Sequence, residues 1–269
     1  MKHIVCYSGG HSSALVALEV AKKYGTDNLI LLNHDISASV EDQDIKRFKN
    51  EIANYLGLPV TYANYKDALS KDQFDIAMDH GGFLAGDGNR ANMSAVCTMK
   101  LKTRPFHKWL EENIPDKNCI IYYGFDASEN RRIQRRSQIL GIQGYKSDYP
   151  LALWNRTIHS TKEIGIEPPL TYSKYKHANC IGCLKAGRQH WYVVYCTRPD
   201  LFKKAKDAET ELGYTIIKGI SMAELESKFS EMKRLGIEDS EHIPSGKFWS
   251  SARKILTEDK NEKPCECTE

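Results

Sequence analysis

The chain has 269 residues, 41% of them hydrophobic and 27% charged, with a formal net charge of +3. This is the make-up of a globular domain with or without an appendage; no run nears the ~20 apolar residues of a membrane span, and the charge is too small to argue for nucleic acid. With no basic leader before the first apolar run, a cytoplasmic setting is expected, where eight cysteines favour metal or redox chemistry over structural disulfides.

His3-Ile4-Val5-Cys6 reads as a buried strand, and a helix is expected over Ala14 to Tyr24. Between them lies Tyr7-Ser8-Gly9-Gly10-His11-Ser12-Ser13. A glycine turn between strand and helix aims backbone N–H groups and a positive helix end at one point, which suits an anion. The paired glycines allow close approach, and the hydroxyls of Ser8, Ser12 and Ser13 add donors. Ser8, Gly9, Gly10, His11, Ser12 and Ser13 are therefore candidate phosphate-binding residues, the plain alternative being an ordinary strand-to-helix turn.

Asn28 to Leu32 is a short apolar run, hence a second strand. Ile45, Phe48, Ile52, Tyr55 and Leu56 recur at helical spacing over Asp42–Leu56, and Gly57 stops that helix. Asn33 and Asp35, at the end of the second strand, would lie beside the first loop, where Asp35 could accept from a ribose hydroxyl or an exocyclic amine. A capped strand end is the alternative there. Pro59–Tyr62 is a third strand, Met99–Asn113 a helix broken or kinked near Pro105, and Cys119–Gly124 another buried strand. Gly124 then leads into a helix bearing Arg131, Arg132, Arg135 and Arg136. Arg132 and Arg136 share one helical face and could hold phosphate or sulfate, although a solvated basic helix or a nucleic-acid contact has the same pattern.

Strand–helix alternation predicts an α/β protein with a doubly wound, mostly parallel sheet, its ligands at the carboxyl ends of the strands. From Tyr149 the pattern turns to loops with Pro150, Pro168 and Pro169, and two polar helices are expected near Asp200–Leu212 and Ser221–Leu235. The division expected is a nucleotide-binding domain with a cysteine site over 1–195, then a helical extension with a mobile tail after Thr257 over 196–269.

Cys180-Ile181-Gly182-Cys183 has chelate spacing, and Cys97 stands before a basic helix whose N-terminus would favour a thiolate. Three cysteines leave a tetrahedral ion or a cubane cluster one ligand short. His190, Cys196 or the tail cysteines could complete it, or an exogenous sulfur could take the open position. Cys6 and Cys119 lie in strand runs and read as inert core thiols.

These pieces resemble, in order, the phosphoadenosine phosphosulfate (PAPS) reductase-like family of the PP-loop (adenine nucleotide α-hydrolase-like) superfamily. Ser8–Ser13 resembles its Ser-Gly-Gly-x-Asp-Ser loop, with Ser12 in place of Asp. Cys97 with Lys100, Lys102, Arg104 and Pro105 is similar to its cysteine-plus-basic segment, though Val96 stands where cluster-bearing members have a second cysteine. Gly124–Ser137 is similar to its Gly-x-Arg-x-x-Glu-Ser-x-x-Arg segment, with Asp126 and Asn130 as departures. Tyr149–Trp154 and Pro168–Tyr172 through Cys183 are similar to two later motifs, and the resemblance covers about residues 1–195.

The resemblance implies a HUP-like Rossmannoid fold binding ATP or another adenine nucleotide. It also implies sulfur transfer or sulfonucleotide reduction at a 4Fe-4S cluster, with zinc as the alternative metal, and Cys97, Cys180, Cys183 and His190 as ligands. Cys97 and Cys267 would be catalytic, the Glu266-Cys267 pair resembling the reductase tail. A tRNA or DNA substrate, a thiol reductant or sulfur-donor protein, and a homodimer are compatible partners; a membrane is not. Loss of Asp at Ser12 also fits a non-catalytic protein that sequesters a nucleotide around a structural zinc.

Overall fold

The computed structural model describes residues 1–85, 94–178 and 180–262, the last five of these as backbone only. In chain order the elements are β1 (Lys2–Cys6), α1 (His11–Tyr24), β2 (Leu29–Asn33), α2 (Gln43–Tyr55) and β3 (Val60–Tyr62). Next come α3 (Gln73–His80), β4 (Leu84–Ala85), β5 (Ser94–Ala95), a π-helical turn (Thr98–Thr103), α4 (Arg104–Asn113), β6 (Cys119–Tyr122), α5 (Asn130–Ile142) and β7 (Lys146–Asp148). The chain closes with α6 (Pro150–Leu153), α7 (Arg188–Thr197), α8 (Pro199–Leu212), α9 (Met222–Arg234) and α10 (Ser245–Glu262).

The chain forms two units. The first comprises Met1–Asp72, Cys97–Tyr172 and His177–Cys180, and the second Gln73–Val96, Ser173–Lys176 and Ile181–Glu269. The boundary expected after residue 195 falls inside α7.

The first unit is built on a five-stranded sheet of order β3-β2-β1-β6-β7, with every pairing parallel. Alternate residues face opposite sides, and the two cores follow that period. Val5, Leu31 and Tyr122 pack with Val16, Val20, Phe48 and Ile52 of α1 and α2. Ile4, Leu32 and Ile121 pack with Phe106, Leu110 and Leu140 of α4 and α5. Helices therefore cover both faces, and the winding reverses between β1 and β6. The crevice beyond their carboxyl ends is where such sheets bind ligands.

The helix expected over Met99–Asn113 divides at its proline. Pro105 lies in the first turn of α4, and the preceding turn widens, with Arg104 N–H bonded to the Met99 carbonyl five residues back. In the second unit, Phe74 of α3 meets Trp191 of α7, and Trp191, Phe202, Phe229 and Phe248 are linked, the last through Tyr192, by edge-on and tilted ring contacts. α10 continues to Glu262, so the mobile tail expected after Thr257 is helical for its first five residues. Among the described residues no helix is long and apolar enough to cross a membrane.

Candidate functional site

The Ser8–Ser13 turn lies at the carboxyl end of β1. Gly9 has φ +79°, which favours glycine, and a Cβ added there would come 2.9 Å from Lys49 Cε. Gly10 is the N-cap of α1; its missing side chain leaves the helix end without a side-chain cap, and no acidic residue occupies the first turn. Ser13 Oγ donates to the Gly10 carbonyl at 2.8 Å, and Ser8 Oγ to Ser13 Oγ at 3.3 Å. Ser8 and Ser12 are exposed. Helix geometry leaves the Ser12 and Ser13 amides without an intrahelical partner, but the His11 N–H donates to Tyr172 Oη at 2.9 Å. The His11 side chain accepts from Thr161 N–H at 3.3 Å, and burial lowers its pKa.

Gly124 follows β6 and meets this turn. A Cβ there would lie 3.1 Å from the Ser12 carbonyl carbon, so the loop after β6 runs close against the first turn of α1 at the point where the winding reverses. Beyond it, Asp126 caps the next turn by accepting from Ser128 N–H, and Glu129 accepts from Asp126 N–H. Two carboxylates at that helix start disfavour an anion there. Arg132 is paired with Glu129 and lies over Phe125, 4.2 Å from the ring centre. Arg136 is half-buried over Tyr123 at 5.4 Å. Its charge, second to burial, helps hold the His107 pKa down, which puts it near α4.

At the end of β2 the two expected ligand residues diverge. Asn33 is 3% exposed and both ends of its amide are used internally: Nδ2 donates to the Tyr7 carbonyl, and Oδ1 accepts from Lys49 Nζ at 3.1 Å. It braces the residue that opens the turn through the Tyr7 carbonyl. Asp35 is half-buried, and its Oδ1 takes Lys46 Nζ and Ile36 N–H, each at 3.1 Å. Lys46 and Lys49 are joined through buried Glu41, at 3.7 and 3.3 Å. Burial raises the Glu41 pKa, and the two lysines pull it down. The charges run Lys49–Glu41–Lys46–Asp35, linking the floor of the glycine turn to the candidate ribose residue. The sequence carried a signal for it: Lys49 falls on the apolar face of α2 with Ile45, Phe48 and Ile52.

The three expected thiols are divided between the two units. Cys97 sits half-buried before the π-helical turn, and Cys180 ends the 177–180 stretch of the first unit. Cys183 and His190 belong to the second unit. There Gly182 and Cys183 N–H groups both donate to His190 Nε2, at 3.2 and 3.3 Å, and His190 Nδ1 lies 2.5 Å from Glu241 Oε1. Both ring nitrogens are taken, so His190 braces the cysteine turn, and ligation would require breaking one of these bonds. Gly182, with φ +75°, lies close against Phe74 and Trp191. Among the described residues no set of three or more His, Cys, Asp or Glu side chains is placed to hold a metal ion. Burial pushes Cys6 up to about 12 and Cys119 up to about 11, as inert thiols would behave. Cys265 and Cys267 lie outside the described residues.

Comparison with family models, curated proteins and solved structures returns no match to this chain.

Proposed function

We propose that this chain is a PAPS reductase-like, PP-loop enzyme that binds an adenine nucleotide and carries out sulfur chemistry on it or with it. The observation that carries the reading is the close approach of Gly124 to Ser12, where a glycine turn with no N-cap side chain of its own lies at the winding reversal of a parallel sheet. In this reading Ser8, Ser12, Ser13 and the turn amides hold the phosphates, Asp35 accepts from the ribose or base, and half-buried Arg136 adds positive charge near α4. Arg132 is the weaker candidate, because Glu129 already neutralises it.

Cys97, Cys180 and Cys183 are the thiols available for sulfur transfer or sulfonucleotide reduction, with Cys267 as the candidate tail nucleophile. The iron–sulfur cluster rests on the family resemblance alone. A nucleotide-sequestering protein is the second reading; the lack of an acidic residue in the first turn of α1 favours it, because the resembled loop has Asp there.

Anaerobic purification followed by iron, zinc, sulfide and bound-nucleotide analysis tests both. The enzyme reading expects an adenine nucleotide together with iron and sulfide, or with redox-active thiols. A chain that takes up no adenine nucleotide at millimolar concentration would overturn both readings.

A further inference from the structure

We infer that the Tyr172 hydroxyl occupies the anion position of the Ser8–Ser13 turn and gates it, leaving when a phosphate-bearing ligand enters. The inference rests on the reading of that turn as a phosphate site.

Three contacts define the position. His11 N–H, the first amide of α1, donates to Tyr172 Oη at 2.9 Å. The backbone of Ala178 bonds the same oxygen. A Cβ built on Gly10 would lie 3.1 Å from that oxygen and 3.2 Å from Ala178 Cβ, so the space glycine leaves open is taken up by this hydroxyl and the Ala178 methyl. Two backbone donors meeting at a helix N-terminus are an arrangement suited to a charged oxygen. Tyr172 supplies a neutral one, since burial raises its pKa. A phosphate oxygen on the same donors makes charge-assisted bonds roughly twice as strong as neutral ones.

The surroundings show what stays and what moves. Leu170 N–H donates to Asp44 Oδ2 at 2.5 Å, and the Glu167 carbonyl accepts from Arg47 at 3.3 Å. The segment before Tyr172 is thus moored to the first turn of α2. Immediately after the mooring, Thr171 Oγ1 is buried with no hydrogen-bond partner among the described residues. A buried unpaired hydroxyl costs free energy, so the backbone next to Tyr172 is held less favourably than the moored residues before it. Rotation of Tyr172 about its own side-chain bonds frees the His11 amide without disturbing the mooring.

The test is calorimetric titration of pyrophosphate and of ATP into the full chain and its Tyr172→Phe variant. Phenylalanine keeps the ring and removes the competing oxygen, so affinity should tighten roughly threefold to tenfold, the worth of one net hydrogen bond. Equal or weaker binding by the variant, with the unaltered chain binding, would make Tyr172 a fixed cap or a ligand contact and overturn the gate alone. If neither protein binds either anion, the phosphate reading falls and the gate with it. A second measurement needs no variant. Nitration of Tyr172 by tetranitromethane, mapped by peptide mass, should rise severalfold when pyrophosphate is added to the unaltered chain; unchanged or reduced nitration overturns the gate.

Discussion

Lys49 Nζ lies 3.3 Å from Glu41 Oε1 with both side chains buried, 1% and 8% exposed, directly beneath the glycine turn. Desolvating two charges is costly, and the pair survives because Asn33 and Lys46 satisfy what remains of its bonding capacity. Removing one partner strands the other. Lys49→Met should therefore lose about 3–5 kcal/mol of stability, the range for a broken buried pair. Lys49→Met combined with Glu41→Leu should lose less than the sum of the singles. Urea unfolding of the double-mutant cycle checks this; strict additivity would mean that the two charges do not interact.

Gly124 shows how closely the loop after β6 approaches α1. An added methyl would sit 3.1 Å from the Ser12 carbonyl carbon, a backbone atom that cannot rotate aside. Gly124→Ala should push the loop after β6 away from α1, costing about 1–3 kcal/mol by overpacking and, on the function proposed above, at least tenfold in adenine-nucleotide affinity. Thermal melts and equilibrium binding on the same preparations separate the two effects. Loss of stability with unchanged affinity would detach this contact from the ligand site.

Much of this framework was legible in the residues. The strand runs ending at Cys6, Leu32 and Gly124 were readable because parallel strands buried on both faces are continuous apolar runs, and α2 because Ile45, Phe48 and Ile52 keep helical spacing. What escaped had weaker local marks. β7 is the polar tripeptide Lys146-Ser147-Asp148, a strand only because β6 pairs with it. α3 is eight residues long, too short to show a period, and α7 buries Trp191–Val194 in a row, which hides its helical phase. Of the candidate site, the sequence offers the residue types but not their hydrogen-bond partners: the side chains of Asn33 and His11 bond internally, and Tyr172 reaches the turn across 161 residues, which no local pattern reports.

His190 and Glu241 hold the turn between Cys180 and Cys183 through the paired amides of Gly182 and Cys183. His190→Ala removes the acceptor of those two amides and one of the Glu241 carboxylate's partners, and should cost about 1–3 kcal/mol. The exposed turn should also alkylate faster: iodoacetamide labelling of Cys183, followed by peptide mapping, should accelerate severalfold. Glu241→Gln keeps a hydrogen-bond acceptor for His190 Nδ1 and should fall between the two. Identical labelling of all three proteins would show that the cysteine turn holds its shape without the pair.

Acid should weaken the fold through its buried imidazoles. Burial is the largest cause lowering the pKa of His3, His11, His34 and His107 from 6.5. For a group held neutral in the fold, the unfolded chain binds the proton first. Its contribution is therefore complete above pH 6.5 and is lost as pH falls through the lower folded value. Glu41 and Glu209, raised by burial, act in the opposite sense: their contribution is complete below 4.5 and is lost as pH rises. Comparison with a single-site variant isolates one imidazole from that background. His34 is the suitable site, because its Nδ1 lies 2.6 Å from the Ala63 carbonyl and must carry the proton there, leaving Nε2 to titrate. His34→Gln should show a shallower loss of urea-unfolding stability between pH 7 and 5 than the unaltered chain. Parallel pH profiles would place the His34 titration in the folded chain at its unfolded value.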